Sequence, residues 1–128
     1  MKKRFGHEKL DVYQESIRFV AWVDELLAEA PNRLAVHDQL DKASTAIPLN
    51  IAIGRGKFNP SDRAHFFVIA HDAALECAAC LDVLRAKHRI KSAEEGKSCI
   101  AGIVSLLENL INKRTTYRSD NDVGAFGL

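Results

Sequence analysis

Ile51-Ala52-Ile53-Gly54-Arg55-Gly56-Lys57-Phe58-Asn59-Pro60-Ser61-Asp62 reads as one helix ending and the next beginning. Gly54 and Gly56 permit the left-handed turn that closes a helix. Asn59 is a good N-cap, Pro60 fits the first helical position without losing a needed N–H, and Asp62 faces the positive end of the dipole. Upstream, from about Leu34 to Gly54, the apolar stripe is Val36, Leu40, Ala43, Ile47 and Ile51; downstream, to about Lys87, it is Phe66, Ala70, Ala73, Cys77, Leu81 and Leu84. Both recur at helical spacing. Pro48 removes an N–H bond to Ser44 within the upstream helix, so a bend is expected there.

Working outward, Leu10 to Ala30 carries Leu10, Tyr13, Ile17, Val20, Val23 and Leu27 on one stripe, and Pro31-Asn32 ends it. Ser92-Ala93-Glu94-Glu95 is a capping box opening a fourth segment with Ile100, Ile103, Val104, Leu107, Leu110 and Ile111. Few stretches alternate as strands do. Short connections favour antiparallel neighbours, so the expectation is all-α: an antiparallel up-down-up-down four-helix bundle. One domain is expected over residues 1–118, followed by a flexible tail, 119–128, rich in Asp, Asn and Gly.

The composition agrees with one soluble domain: 128 residues, 47% hydrophobic and 27% charged, enough apolar content for a core. Eighteen Lys and Arg against seventeen Asp and Glu leave +1, so any basic surface must be local. Met1-Lys2-Lys3-Arg4 resembles the start of a signal peptide, but Leu10-Asp11-Val12-Tyr13-Gln14-Glu15 is too polar to follow it, and charges interrupt every long apolar stretch. No membrane partner is expected. Cys77, Cys80 and Cys99 cannot all pair within one chain and read as reduced thiols of a cytoplasmic protein.

Some apolar surface is left over. Val12, Phe19, Trp22 and Leu26 form a second stripe on helix one, and Val68, Leu75, Ala79 and Val83 one on helix three. Phe19, Trp22, Leu26 and Leu75 are therefore expected at an oligomer interface, the alternative being broad flanks of the bundle.

Chemistry has no visible seat. Cys77-Ala78-Ala79-Cys80 has the spacing of half a zinc site but lies mid-helix without a second pair, and reads as packing. The five histidines form no metal-binding repeat, and Gly54-Arg55-Gly56-Lys57 lacks the spacing of a phosphate loop. Asn50 and Glu76 fall at the edges of their core stripes and are expected as partly buried structural polar residues, each with a hydrogen-bond partner in a network fixing helix register. No catalytic residue, metal or cofactor is expected. The opposing reading is an enzyme with a metal or small-molecule site built from Glu76, Asn50, and His71 or Cys77.

Leu10-Asp11-Val12-Tyr13-Gln14, Gln39-Leu40, Ala46-Ile47-Pro48-Leu49-Asn50-Ile51-Ala52-Ile53-Gly54, Phe66-Phe67-Val68-Ile69-Ala70 and Ala74-Leu75-Glu76 together resemble the four-helix-bundle proteins encoded in bacterial ribosomal-RNA intervening sequences. The resemblance covers about Phe5 to Tyr117. That family is in turn similar to the accessory subunit of diversity-generating retroelements, a pentameric barrel thought to bind nucleic acid and a reverse transcriptase. The resemblance implies a homopentamer without established enzymatic activity. Two departures, Ile53 for a glutamate and Asp72-Ala73-Ala74 for Arg-Gly-Ser, suggest a salt bridge exchanged for apolar packing.

Residues 1–9 carry Lys2, Lys3, Arg4 and Lys9 against Glu8. An up-down bundle puts them beside Arg55 and Lys57 and the end of helix four, with Lys113 and Arg114. Lys2, Lys3, Arg4, Arg55, Lys57, Lys113 and Arg114 are the expected contacts to RNA or DNA, five copies in a ring multiplying the patch. The expected function is a non-enzymatic nucleic-acid-binding or adaptor oligomer, its protein partner unspecified; the runner-up is a purely structural assembly module. With few aromatics nearby, base stacking is expected to contribute a minor share.

Overall fold

The Asn59 side chain caps its helix: Oδ1 accepts the Ser61 N–H at 2.8 Å, and Pro60 occupies the first helical position. The computed structural model describes residues 2–126, with side chains through Asn112. A 3-10 turn, Gly6–Lys9, precedes α1 (Asp11–Ala28), α2 (Ala35–Arg55), α3 (Pro60–Ala86) and α4 (Glu94–Phe126), and there is no strand among the described residues. The segment from Ser119, expected to be loose, and the Lys113 and Arg114 side chains lie outside the described side chains. Each helix packs on the next in sequence, and α1 packs on α4, so the four enclose one core. Among the described residues, no helix is long and apolar enough to cross a membrane.

The turn after α2 closes differently from the expectation. Gly56 has φ −82°, and its N–H donates to the Ala52 and Ile53 carbonyls, both at 3.2 Å, without a left-handed residue. Gly54 is needed for space: a Cβ there would lie 3.0 Å from both Phe66 Cβ and Phe67 Cε1. The left-handed residue stands after α3 instead, at His88 with φ 59°, where the Arg89 N–H donates to the Leu84 carbonyl at 2.9 Å. Ser92 helps start α4 by accepting the Glu94 N–H at 3.1 Å.

The core corrects the phase of α1. Val12, Ser16, Phe19, Val23 and Leu27 point inward, while Ile17 is 45% exposed. Phe19, placed by its sequence pattern on an outer stripe, has no exposed surface. Ser16 masks the true stripe: it is a polar residue in a core position, satisfied by donating its hydroxyl to the Tyr13 carbonyl at 2.7 Å. On α2, Leu40, Ala43, Ile47 and Ile51 are buried as expected, joined by His37, Ser44 and Pro48. On α3 it is Phe67 rather than Phe66 that enters the core. Ile100, Ile103 and Leu107 complete it from α4. Each of the large buried side chains contributes roughly 1.5–3 kcal/mol relative to exposure.

Candidate nucleic-acid interface

Two segments distant in sequence meet at one end of the fold. The 3-10 turn packs against α2, and a Cβ on Gly6 would lie 3.2 Å from Arg55 Cζ, so the guanidinium rests directly on the Gly6 backbone. Lys2, Lys3, Arg4 and Phe5 lead into that contact, and Gly56, Lys57 and Phe58 follow from it. Glu8 shapes the leading segment: its Oε1 accepts the N–H groups of Arg4 at 3.0 Å and Phe5 at 2.7 Å. These backbone hydrogen bonds hold its carboxyl below the usual range. The Phe5 ring stacks on His7 with centroids 5.9 Å apart, and His7 meets Tyr13 edge-on at 4.7 Å.

The α2–α3 turn is equally tied down. The Lys57 N–H donates to the Gly54 carbonyl at 3.1 Å, and Arg63 Nε donates to the Lys57 carbonyl at 2.7 Å. Lys57 Nζ sits 5.2 Å from the centre of the Phe66 ring, a cation–π contact that fixes where the charge is displayed. Lys2, Lys3, Arg4 and Arg55 are exposed and Lys57 half-buried, so the structure brings five expected cations to one end. Arg63, which no spacing in the chain singles out, joins them through its bond to the turn.

Of the expected interface residues, Trp22 and Leu26 are half-buried and Leu75 is 49% exposed, whereas Phe19 is interior. Trp22 stacks on Phe19 at 5.8 Å and covers Gly96 of α4. The exposed apolar surface extends to α2, beyond the stripes expected on helices one and three. Leu49 and Ile53 of α2 are 57% and 46% exposed, Val68 and Leu75 of α3 are 42% and 49% exposed, and between the two helices lies a groove lined by Lys42, Ala46, Ile69, Asp72 and Glu76. Ile53 therefore does not replace a family glutamate by packing inside the subunit; it faces outward.

The two polar residues at the stripe edges do not tie helices together. Asn50 Nδ2 donates to the Ala46 carbonyl of its own helix at 2.8 Å, and Glu76 is exposed, because its position on α3 faces the outer groove rather than the core. Polar contacts between helices lie elsewhere: His71 Nε2 and Glu108 Oε2 are 2.9 Å apart, and Lys97 Nζ donates to Asp82 Oδ1 at 2.8 Å, both linking α3 to α4. His37 is buried, and its Nδ1 accepts the Leu34 N–H at 2.9 Å to cap α2. Burial, then the Arg89 and Arg33 charges, keep its pKa below the ordinary histidine value. Cys77 and Cys80 are buried free thiols, and burial pushes the Cys77 thiol up to about 12. Among the described residues, no three His, Cys, Asp or Glu side chains come together as a metal site.

The structure is thus a four-helix protein with a cationic end and an apolar flank. The chain belongs to the family of 23S rRNA-intervening sequence proteins, which matches residues 8–112. A solved structure of a protein of unknown function from the S23 ribosomal protein family of Bacteroides thetaiotaomicron is similar to it, with a TM-score of 0.70 and 22% identity. The match covers 78% of this chain and 97% of that one. At that identity the likeness concerns the fold. No curated protein matches this chain.

Proposed function

We propose that this protein is a non-enzymatic, cytoplasmic oligomer that binds RNA or DNA through its cationic end. The observation that carries the reading is the Arg55 guanidinium against Gly6, which joins Lys2-Lys3-Arg4 to Arg55-Gly56-Lys57 in a chain whose net charge is only +1. Charge gathered this way binds phosphates independently of sequence. In this reading Lys113 and Arg114 add to the same surface.

The helices run up-down-up-down and antiparallel. Pairing of Lys97 with Asp82 and of His71 with Glu108 supports this, since positions later in α4 meet positions earlier in α3. Five subunits form a ring, as the resemblance to retroelement accessory subunits implies, and each contributes one copy of the basic end. Trp22, Leu26 and Leu75 lie at the subunit contacts, with the exposed Leu49, Ile53 and Val68 supporting an apolar interface on α2 and α3. That same face favours, as the second reading, an assembly module that binds no nucleic acid.

Replacing Arg55 and Lys57 together by glutamate tests the proposal. Binding to every RNA and DNA sequence should weaken and its salt dependence flatten, while helicity and particle size stay unchanged. Equal binding by the variant would leave the assembly-module reading. Light scattering tests the ring: a monomer at micromolar concentration contradicts it, and Leu75→Glu, at a residue 49% exposed on the subunit, should dissociate it by burying an unpaired charge.

A further inference from the structure

Phe58 is 98% exposed at the tip of the α2–α3 turn, and Phe5 is 62% exposed just before the 3-10 turn, whose Gly6 lies against Arg55 at the end of α2. Single exposed apolar residues are ordinary, but these two stand among Lys2, Lys3, Arg4, Arg55 and Lys57, whereas the cations of the opposite end, Arg85, Lys87, Arg89 and Lys91, have no exposed Phe, Tyr or Trp ring beside them among the described residues. Phe58 follows Lys57, whose carbonyl is held by Arg63 and whose ammonium rests on Phe66, and precedes Asn59, whose side chain caps α3. The backbone on both sides of the ring is therefore fixed before any ligand arrives. Phe5 has a neighbour of its own: it is stacked on His7, next to backbone that Glu8 holds in place.

We propose that Phe58 and Phe5 turn this end into a stacking site for unpaired bases, so that the preferred ligand is a single strand of RNA or DNA. This rests on reading the cationic end as a nucleic-acid surface. Arg4, Arg55 and Lys57 take the backbone phosphates, and the two rings take base faces. Every base has a π-face, so stacking adds affinity without sequence selectivity. In a duplex those faces are already covered, and a protruding ring gains nothing unless it unstacks a step. The assignment gives base stacking a larger share than the sparse aromatic content of these segments suggests, because the structure leaves their two phenylalanines uncovered.

The test is fluorescence anisotropy with an unstructured pyrimidine-rich RNA and with a duplex of the same length, at one salt concentration. Wild type should favour the single strand. Phe58→Ala should weaken single-strand binding about tenfold and leave duplex binding within about twofold. Phe58→Tyr should keep wild-type affinity, whereas Phe58→Leu, apolar but without a flat π-face, should behave like the alanine variant. A ring with almost no protein contacts is not needed for folding, so loss of structure does not confound these variants.

If wild type binds both forms and Phe58→Ala is indistinguishable from it on the single strand, stacking is wrong while phosphate binding stands. If wild type binds neither form, the functional reading beneath it falls as well. A Phe58→Leu variant as tight as wild type, a change of particle size in Phe58→Ala, or Phe58-dependent binding to phosphatidylserine vesicles without binding to RNA would each overturn the stacking assignment.

Discussion

Two glycines of the same helix should respond oppositely to alanine. At Gly96, in the first turn of α4, an added Cβ would lie 2.6 Å from Leu81 Cδ1, 2.7 Å from Trp22 Cη2 and 2.9 Å from Trp22 Cζ3. The indole stacks on Phe19, which is fully buried, and Leu81 is also fully buried, so neither neighbour yields without disturbing the core. Overpacking of this kind costs about 1–3 kcal/mol, against a helix-propensity gain of at most about 1 kcal/mol. Gly96→Ala should therefore destabilise by roughly 1–2 kcal/mol. At Gly102 nothing lies within 4 Å of the new atom, and Gly102→Ala should stabilise by roughly 1 kcal/mol. Urea unfolding followed by helical circular dichroism, at one protein concentration, reads both. Trp22→Leu combined with Gly96→Ala should recover part of the loss. If the two alanines stabilise equally, the indole does not cover Gly96 and the α1–α4 packing is wrong.

The phase of α1 is testable in the same assay: Phe19→Ala should cost about 3–5 kcal/mol and Ile17→Ala under about 1 kcal/mol. The opposite order would restore the stripe expected from apolar spacing. Cys77→Ala with Cys80→Ala should lose about 1 kcal/mol or less per site by cavity formation, and elemental analysis should find no zinc that the double variant releases. His37 has its pKa lowered in the folded state, so the unfolded chain takes up its proton first on acidification. Stability due to this group is full above the ordinary histidine pKa of about 6.5 and declines as pH falls from there toward the folded value. His37→Gln keeps an acceptor for the Leu34 N–H and should show less of that decline; an unchanged pH profile would remove His37 as its source.

Local rules read well where one residue decides the geometry. Asn59-Pro60 starts α3 because capping needs only the chain itself, and the α2 stripe is legible because Leu40, Ala43, Ile47 and Ile51 mark it at helical spacing even with the buried Ser44 among them. The α1 stripe was misread because Ser16 satisfies its hydroxyl locally and so occupies a core position that a count of apolar residues assigns to the surface. Phe66 and Phe67 are adjacent, and it is Phe67 that continues the buried stripe of Ala70, Ala74, Cys77, Leu81 and Leu84 at spacings of three and four. At the candidate site the cations of both segments were visible in the sequence. Their meeting through Gly6 and Arg55 depends on a contact between distant segments, and the Arg63 bond and the exposure of Phe58 on the shape of the turn, neither of which spacing alone encodes.

The most direct test of the account is a salt titration of wild-type protein binding to an unstructured RNA. Electrostatic capture of phosphates by Lys2, Lys3, Arg4, Arg55 and Lys57 predicts a straight line of log affinity against log salt. For a single strand, the slope should fall by about 0.7 for each phosphate neutralised. Affinity that does not change with salt, or no binding at low salt, would contradict the claim that this end of the molecule is a nucleic-acid interface.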